Sequence, residues 1–472
     1  MTVQAEHASE ISPDRLVLLL VAGVTILGGF LFGYDTAVIN GANQYLTARF
    51  SLSPFQEGLA GASAILGCIP GALVAGALSD RFGRRRVLFV SAILFAVSAI
   101  LSAVPYSFTE FLVARWIGGV GIGVTSMVCP VYIAELSPAK YRGTLGALFQ
   151  LGIVVGIFLT LFVNAAIQSL GDDTWNTLRG WRWMLGSEVI PAGVLLLLLT
   201  RAPESPRWLA SRGDLATARR IIGQLSGSTR VEPLLADMLA AKSAEQGGFA
   251  SLFNPRYRRP LLIAVVLMAV SQFSGINVVM YYSTQIFTSA GAGIEDAFAS
   301  SVLVGLVNLV ATGVALAGVD RVGRKPLLLF GLVVQVVTLA TTAWMFSNGI
   351  GGLPLLVSII GYIAVFAMAL GPLPWIICSE IFPTSVRGAA MSVATLTIWT
   401  SCFVVIQTFP WLNANPAVGP ATLFSAYSFF SLCGLIFVAL YVPETKGKSL
   451  EEIGEEWGAP QPPQSTGRSA GV

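Results

Sequence analysis

Long apolar segments dominate this chain and leave few folds open to it. A helix needs about 20 consecutive apolar residues to cross the hydrocarbon core of a bilayer, and twelve such windows can be read along the 472 residues. Only 11% of the residues are charged, whereas soluble domains carry about 25%. We therefore predict an all-α membrane protein with twelve transmembrane helices. The windows are 16–40, 57–78, 86–104, 110–134, 144–168, 184–200, 260–289, 297–319, 326–346, 353–378, 388–410 and 420–442.

Basic residues set the predicted orientation, because loops on the cytoplasmic side of a membrane are enriched in Lys and Arg. With an even number of spans, both tails lie on the same side. If that side is the cytoplasm, the basic residues left outside are Arg49, Arg179 and Arg182, while Arg115 falls inside the fourth window. We expect a multi-pass protein of the inner or plasma membrane with both termini in the cytoplasm. The N-terminus is acidic and predicts no cleaved signal peptide.

One long polar stretch divides the chain into two halves. It lies between the sixth and seventh windows and leaves six apolar segments on either side. The predicted parts are an N-terminal tail (1–15), a first six-helix half (16–200), a linker (201–259), a second six-helix half (260–442) and a C-terminal tail (443–472).

The polar linker shows the periodicity of short helices. Leu215, Ala218 and Ile222 share one helical face, which predicts amphipathic helices lying against the membrane domain. A linker of about 60 residues is short for a catalytic domain. The loops contain neither a phosphate-binding glycine loop nor a nucleophile with its base. We therefore expect neither an enzyme nor an ATP-driven pump.

Metal and cofactor chemistry is not expected. All five cysteines lie in apolar segments, with neither disulfide nor metal spacing. The single histidine is His7, in the tail, so proton chemistry within the membrane depends on carboxylates. No basic tract predicts a nucleic-acid partner, and we expect a monomer in the lipid bilayer.

Asp35 is a carboxylate inside the first apolar window. It follows the glycine-containing run Gly28-Gly-Phe-Leu-Phe-Gly-Tyr. An ionised carboxylate at mid-bilayer costs about 2.5–3.5 kcal/mol on insertion scales, so it is expected to have a partner or a proton. Two interpretations remain open from the sequence. Asp35 carries a proton along a transport path, or it caps the first helix at the membrane interface.

Three short motifs occur twice, which predicts two copies of one six-helix design. They are an Asp-Arg-x-Gly-Arg turn, a Glu and an Arg on either side of a proline turn, and a Pro-Glu-Ser/Thr turn, repeated at a nearly constant offset. All copies fall on the predicted cytoplasmic side. Their ion pairs are expected to latch the halves together there while the protein opens outward; alternatively, they only follow the charge bias of the loops and helix packing. The predicted latch residues are Asp80, Arg84, Glu135, Arg142, Glu204, Asp320, Arg324, Glu380, Arg387 and Glu444.

Five motifs spread over both halves carry a family resemblance. In chain order they are Gly76-x-x-x-Asp80-Arg-x-Gly-Arg-Arg85, Arg115-x-x-Gly-Gly119, Pro203-Glu-Ser-Pro-Arg207, Gln272-Phe-Ser-Gly-Ile-Asn277 and Pro443-Glu-Thr-Lys-Gly447. Together they resemble the sugar porter family of the major facilitator superfamily, which includes bacterial monosaccharide–proton symporters and animal facilitative glucose transporters. The resemblance runs from about Leu16 to Glu451. It implies a transporter whose halves rock about a sugar site near mid-membrane, a design common among transporters built from repeats.

Polar and aromatic side chains inside apolar windows suit a sugar. Amide side chains both donate and accept hydrogen bonds, as sugar hydroxyls do. Gln272, Asn277 and Tyr281 stay near one helix face if Gly275 distorts the helix locally. The alternative role is hydrogen bonding between helices, worth about 0.6–2 kcal/mol per contact. Residue type and the resemblance together give these predicted sugar-binding residues: Phe32, Gln150, Gln272, Asn277, Tyr281, Asn308, Trp375 and Trp399.

The predicted sugar site departs from the family pattern at three positions. Ser271 stands where many members have a second Gln, and Ile157 stands where the xylose symporter type has another Gln. Ile398 precedes Trp399 where Gln or Asn is usual. A pocket with fewer amides weakens any transfer of the exact sugar and leaves room for a different epimer, a broader range or lower affinity.

The resemblance also implies how a proton is coupled. Asp35 matches the first-helix acid of proton-coupled members, which the facilitative transporters lack, and Arg115 matches the arginine that pairs with it. Glu188 is a second embedded acid at a family position, with pairing to Arg182 as its alternative role. Sodium coupling is the minor option, because no carbonyl-rich helix break with carboxylates favours it.

The predicted function is proton-coupled import of a hexose or pentose of the D-glucose or D-xylose type, by alternating access. Three alternatives stay open: facilitated diffusion without a proton, symport of a polyol such as inositol, and a non-transporting sugar sensor. Sensors need signalling tails, and no docking element is recognisable in the tails here.

Overall fold

The computed structural model describes residues 14–137, 142–226, 231–244, 252, 254–382 and 384–446. Within these ranges it contains twelve helical segments long and apolar enough to cross a membrane, as predicted, and no strands. We number them helix 1 to helix 12. Their bounds are Arg15–Phe50, Pro54–Phe82, Arg84–Ala103, Phe108–Leu136, Leu145–Gln168, Asp173–Arg201, Pro255–Ser289, Ile294–Leu316, Arg324–Ser347, Leu353–Glu380, Val386–Asn413 and Gly419–Tyr441.

Several helix ends follow from local sequence. Helix 2 begins after Ser53, whose side chain accepts a hydrogen bond from the backbone of Gln56 while the Gln56 side chain accepts one from the backbone of Ser53. This reciprocal pair satisfies two of the amides that a helix start leaves unpaired, and Pro54 fits the first helical position. The Ser107 side chain caps helix 4 with a single hydrogen bond, which it accepts from the backbone N–H of Glu110.

Glycine stripes let helices within the first half pack backbone to backbone. A Cβ atom added at Gly33 of helix 1 would collide with the carbonyl group of Ile153 in helix 5, and one at Gly119 of helix 4 with that of Ala64 in helix 2. Small residues allow such close approach, which drives helix association in lipid. The glycines in the run before Asp35 therefore hold helix 1 firmly against helix 5.

Two helices are interrupted near the middle of the membrane. Helix 7 breaks between Arg258–Phe273 (helix 7a) and Ile276–Ser289 (helix 7b), where Gly275 has a φ of 85° in the left-handed region. The Tyr362 hydroxyl donates to the Ser274 carbonyl at 2.9 Å, which satisfies a backbone group that the break would leave unpaired. Helix 10 breaks after Met368 and resumes at Leu373 as helix 10b. The local distortion at Gly275 that the sequence analysis took as a condition for its shared helix face is present.

Helix 6 begins earlier than predicted. The apolar window starts at residue 184, whereas the helix starts at Asp173 and includes a π-helical turn at Asn176–Gly180. Polar residues lower the mean hydropathy of this first stretch, so the apolar window did not include it. Asn176 is buried there and donates to the carbonyls of Gln168 and Gly171, so the polar stretch is part of the membrane domain.

The linker forms three short helices at one end of the bundle: Pro206–Ser211, Leu215–Ser226 and Val231–Ala244. Trp208 donates to the carbonyl of Asp80 at 2.9 Å, and Tyr132 of helix 4 donates to the carbonyl of Pro203 at 2.7 Å. We call this end the linker face and the other end the opposite face. Most of the two predicted tails lies outside the described residues.

We predict that Gly33→Ala destabilises the protein by about 1–3 kcal/mol, because an overpacked contact must push helices 1 and 5 apart. Thermal unfolding in detergent measures the change. Gly313→Ala in helix 8 is the matched control, because no atom lies within 4 Å of its added Cβ. Equal unfolding temperatures for the two variants would contradict the close-packing argument.

Candidate functional site

Asp35 and Arg115 form an ion pair inside the first half. Asp35 is 0% exposed and Arg115 is 1% exposed. The guanidinium donates from Nη1 to Asp35 Oδ1 and from Nη2 to the Asp35 carbonyl, while Asp35 Oδ2 has no hydrogen-bond partner. Helix 1 continues to Phe50 beyond this point. The interpretation of Asp35 as an interface cap is therefore wrong.

Glu188 joins this pair from helix 6. It is 1% exposed, its Oε1 has no hydrogen-bond partner, and its carboxyl interacts with Asp35 and Arg115. Arg182 instead donates to the Ala103 carbonyl at 2.8 Å and lies over the Trp181 ring. The alternative pairing of Glu188 with Arg182 is therefore wrong.

The three buried groups carry unequal charge. With both carboxyls ionised, Asp35 and Glu188 exceed the single positive charge of Arg115 by one. An uncompensated buried charge is strongly unfavourable, by several kcal/mol even after relaxation. One bound proton makes the cluster neutral. The cluster therefore needs one bound proton, or another cation, to be neutral.

Tyr281 connects this cluster to the second half. It lies in helix 7b, is buried, and interacts electrostatically with both Asp35 and Arg115. It sits one turn along the same helix from Asn277. A predicted sugar-binding residue therefore lies beside the predicted proton-binding pair.

Gln272 and Asn277 come together across the break in helix 7. Asn277 Nδ2 donates to Gln272 Oε1 and to the Cys402 sulfur at 3.2 Å. Gln272 Nε2 donates to Ser271 Oγ at 3.2 Å. The break allows residues five positions apart to face one another, and Ser271, one of the departures from the family pattern, binds the neighbouring amide.

Phe32 and Trp399 face each other between the halves, with ring centroids 5.7 Å apart. Trp399 packs against the cores of both halves, and its indole nitrogen is buried without a hydrogen-bond partner. A buried indole N–H usually has an acceptor. This unpaired donor beside an aromatic ring suits a ligand hydroxyl.

The remaining predicted sugar residues lie on three other helices. Gln150 (helix 5) and Trp375 (helix 10b) are half-buried, and Asn308 (helix 8) is buried. None of their side chains has a hydrogen bond to another residue in the described ranges. Interhelical hydrogen bonding therefore does not account for their polar groups. Ile157, another departure from the family pattern, is buried in helix 5.

The predicted latch residues pair within each half. Arg84 contacts Glu135 at 3.0 Å and Asp80 at 3.0 Å, and Arg324 contacts Glu380 at 3.1 Å. The partners in each pair belong to the same half. Arg387 donates to the carbonyl of Phe382 at 3.2 Å. The side chains of Arg142 and Asp320 lie outside the described residues, and a latch between the halves stays a prediction.

Glu204 and Glu444 hold equivalent helix starts in the two halves. Glu204 accepts from the backbone N–H groups of Arg84 and Arg85 at the start of helix 3. Glu444 accepts from those of Arg324 and Lys325 at the start of helix 9. Carboxylates are stabilising at helix N-termini, where backbone donors are unpaired. The repeated Pro-Glu motif is thus a repeated helix cap.

The two halves touch mainly at the opposite face. Asn40 of helix 1 donates to the Met280 carbonyl at 2.8 Å and to Ser283 Oγ at 2.7 Å, both in helix 7b. Gln407 of helix 11 donates to the carbonyl of Phe55 at 3.0 Å. Nearer the linker face, Thr395 contacts the sulfur of Met127 at 3.6 Å. The structure is closed at the opposite face.

The sequence analysis missed the polar residues of this closed face. Asn40, Glu57 and Gln407 all lie in or beside predicted apolar windows, where their polarity was the available signal. Cys402 was taken as a packing residue, yet its sulfur accepts a hydrogen bond from Asn277.

The comparisons with known proteins agree with this geometry. A family model described as "Sugar (and other) transporter" matches residues 21–457. The chain belongs to the sugar transporter family. It is 38% identical to the arabinose-proton symporter of Bacillus subtilis strain 168, over 93% of this chain and 95% of the relative. It is 37% identical to the D-xylose-proton symporter of Escherichia coli strain K12, over 92% and 94% of the two chains. The family predicted from the motifs is confirmed.

Solved structures of a relative match in both fold and sequence. The inward open conformation of the xylose transporter XylE from E. coli aligns with a TM-score of 0.83 and 34% identity, covering 93% of this chain and 100% of that chain. The proton:xylose symporter XylE bound to 6-bromo-6-deoxy-D-glucose aligns with a TM-score of 0.79 and 36% identity, covering 94% and 100%. The predicted major facilitator fold is confirmed.

We predict that Glu444→Gln lowers thermal stability at neutral pH. Burial alone would raise the pKa of Glu444, but hydrogen bonds from the backbone N–H groups of Lys446, Arg324 and Lys325 outweigh burial and lower it. A lowered pKa stabilises the fold above the unfolded pKa, and this contribution is lost as pH falls through the folded pKa. The free energy of unfolding of Glu444→Gln should therefore be lower than that of wild type by roughly 1 kcal/mol or less at neutral pH. This deficit should shrink in acid.

Unfolding temperatures measured over a pH series check this prediction. Asp237→Asn, an exposed acid in the interior of the linker helix Val231–Ala244, is the control and should follow wild type throughout. A Glu444→Gln deficit that is constant with pH would show that the charge is not responsible.

Proposed function

We propose that this protein imports a monosaccharide together with a proton by alternating access, and that it is a transporter rather than an enzyme. The observation that carries the proposal is the buried cluster of Asp35, Glu188 and Arg115, which needs one proton for neutrality. Relatives with the family fold are named arabinose-proton and D-xylose-proton symporters. A hexose or pentose of the D-glucose or D-xylose type is the substrate class.

The proposed orientation places the linker face in the cytoplasm. Support comes from Lys and Arg, which concentrate at that face as they do in cytoplasmic loops. Both termini then lie in the cytoplasm, and the protein acts as a monomer within the inner or plasma membrane. Because the structure is closed at the opposite face, it corresponds to the state that opens toward the cytoplasm.

The cycle follows from the charge of the buried cluster. In the outward-open state a proton from the medium neutralises one carboxyl, and Arg115 no longer needs Asp35 as its partner. Sugar binds, the halves rock, and the neutral cluster crosses to the inward-open state. Once sugar and proton leave, Arg115 pairs with Asp35 again, as in the inward-facing geometry described above, and the empty carrier returns.

The sugar site is proposed between the halves. Gln272 and Asn277 offer amide donors and acceptors, and Trp399 offers an unpaired N–H beside its ring. The other proposed lining residues are Gln150, Asn308 and Trp375. Tyr281 lies one turn from Asn277 on helix 7b and interacts electrostatically with Asp35 of helix 1. A movement of helix 7b on sugar binding would therefore change the surroundings of the proton-binding pair, which is how the two substrates become linked.

The linker-face ion pairs are proposed to change partners in the cycle. In the inward-open state Arg84 and Arg324 bind acids of their own half. When the linker face closes, the same charges come within reach of the other half and act as the predicted latch. Glu135 and Glu380 are the acids most directly involved.

We predict that Asp35→Asn abolishes accumulation of sugar while retaining exchange. A neutral Asn cannot release a proton, so uptake into energised vesicles should stop at equilibrium, and a protonophore should have no further effect. The measurement is uptake of labelled glucose and xylose with and without protonophore. Asp296→Asn, an exposed acid in the first turn of helix 8, is the control and should accumulate sugar as wild type does.

The outcomes separate the proposed function from its competitors. If wild type only equilibrates sugar, the protein is a facilitator and proton coupling is wrong. If neither sugar moves, the substrate class is wrong, and a polyol such as inositol is tested next, because the replacements at Ser271, Ile157 and Ile398 remove amides from the pocket.

We predict that Asn277→Ala weakens sugar binding by about tenfold, because one or two neutral hydrogen bonds of roughly 1 kcal/mol each are lost. Gln272→Ala should have a similar effect, and the double variant should lose less than the sum, since the two amides bind one another. Equilibrium binding followed by tryptophan fluorescence measures all three. Asn348→Ala, in an exposed turn, should bind as wild type. Strictly additive losses would show that the two amides act independently.

A further inference from the structure

Glu57 is a buried carboxyl that the proposed transport cycle does not use. It lies in the first turn of helix 2 at the opposite face and is 8% exposed. Asp35, Glu188 and Arg115 form a separate cluster deeper in the membrane. Glu57 therefore has its own surroundings, which must explain why an acid is buried there.

Amide side chains from both halves surround Glu57. Asn43 of helix 1 donates to Glu57 Oε1 at 2.9 Å, and the Gln285 side chain of helix 7b hydrogen-bonds the carboxyl from the other half. On helix 11, Gln407 binds the backbone of Phe55 two residues away. We call Asn43, Glu57, Gln285 and Gln407 the outer gate, because they lie where the halves close against each other.

The outer gate leaves three amide oxygens without a donor. Asn43 Oδ1, Gln285 Oε1 and Gln407 Oε1 are all buried without a hydrogen-bond partner. An ionised Glu57 would only add acceptors. A protonated Glu57 supplies one O–H donor, which would satisfy an oxygen that the ionised form leaves unpaired. The neutral acid therefore fits this closed arrangement better than the carboxylate does.

Charge gives the same result. Among the described residues, no ion pair includes Glu57, and the titratable group that acts on it from the other half is the phenol of Tyr282, which is neutral. The start of helix 2 and the hydrogen bonds from Gln285 and Asn43 favour a carboxylate, but less than burial without a cation disfavours it. When the gate opens, water can solvate the carboxyl and remove this penalty.

We propose that Glu57 is a proton-operated gate: it is neutral while the halves are closed at the opposite face and ionises when that face opens. Its proton exchanges with the medium on that side only, so it does not move across the membrane with the sugar. Protonation from outside favours closure, and alkaline medium favours the open gate. The inference rests on the proposed alternating access and orientation, but on neither the sugar nor the coupling acid.

The proposal fixes the sign and size of a pH effect. Because the closed gate binds one more proton at Glu57, the ratio of open to closed protein rises with pH by up to about tenfold per pH unit. Glu57→Gln is permanently neutral. It should remove this one-proton contribution, follow wild type in acid, and stay more closed than wild type in alkaline medium.

Distances between spin labels on the two halves test this prediction. Labels at Leu170→Cys and Leu353→Cys, two exposed positions at the opposite face, report the gate in lipid nanodiscs across about pH 5 to 9. Cys433, an exposed native cysteine, is first replaced by serine. Glu110→Gln, an exposed acid at the same face, is the control and should keep the wild-type slope.

A Glu57→Gln slope equal to that of wild type overturns the proposal. Because no transport is measured, this failure is distinct from failure of the proposed symport, which the Asp35→Asn uptake experiment detects. Infrared spectroscopy gives a second measurement. The closed protein should show protonated-carboxyl absorption at neutral pH that is smaller in Glu57→Gln by the contribution of one carboxyl, and absorption of unchanged size in that variant also overturns the proposal.

Discussion

The buried pair of Asp35 and Arg115 constrains the rest of the structure. Two charges can remain in a low-dielectric interior only when paired and hydrogen-bonded, so helices 1 and 4 must stay in register wherever the pair exists. Gly28 brings helix 1 close to Cys129 of helix 4, which supports this register. Glu188 adds a second acid without a second cation, which makes the proton content of the cluster the variable that the protein can change.

In the proposed cycle, helix 7 links the buried charged cluster to the amides of the proposed sugar site. The charged cluster belongs to the first half, while the amides Gln272 and Asn277 belong to the second. The break at Gly275 frees helix 7b to move separately from helix 7a, and its buried Tyr281 contacts the cluster electrostatically. A chain with the same twelve helices but an unbroken helix 7 would lack this connection.

Much of the fold was predictable because it depends on short-range signals. Hydropathy gave all twelve helices, and Gly275 marked the position at which helix 7 could be distorted. The early start of helix 6 was missed because Asn176 satisfies its polar groups inside the bundle, which no window of hydropathy records. In the site, Asp35, Arg115 and Glu188 were predictable from the cost of burying charge. The closed face was not predictable from the sequence. Its polar contacts join halves that are far apart in sequence, through Asn40, Glu57 and Gln407.

The distribution of hydrogen bonds explains how such a structure can switch. On the linker face the strong contacts, from Arg84 to Glu135 and from Arg324 to Glu380, lie within a half and keep each half rigid. On the opposite face, in the described part of the chain, the halves are joined by a few bonds from Asn40 and Gln407. Hydrogen bonds between membrane helices average about 0.6 kcal/mol, so the hydrogen bonds at this face contribute a few kcal/mol beside the packing of helix 2 on helix 11 and of helix 5 on helix 8. A proton whose affinity differs by one pKa unit between states supplies about 1.4 kcal/mol, and sugar contacts supply more. The hydrogen bonds that must break when this face opens are therefore within the range of free energy that one proton and one sugar can provide.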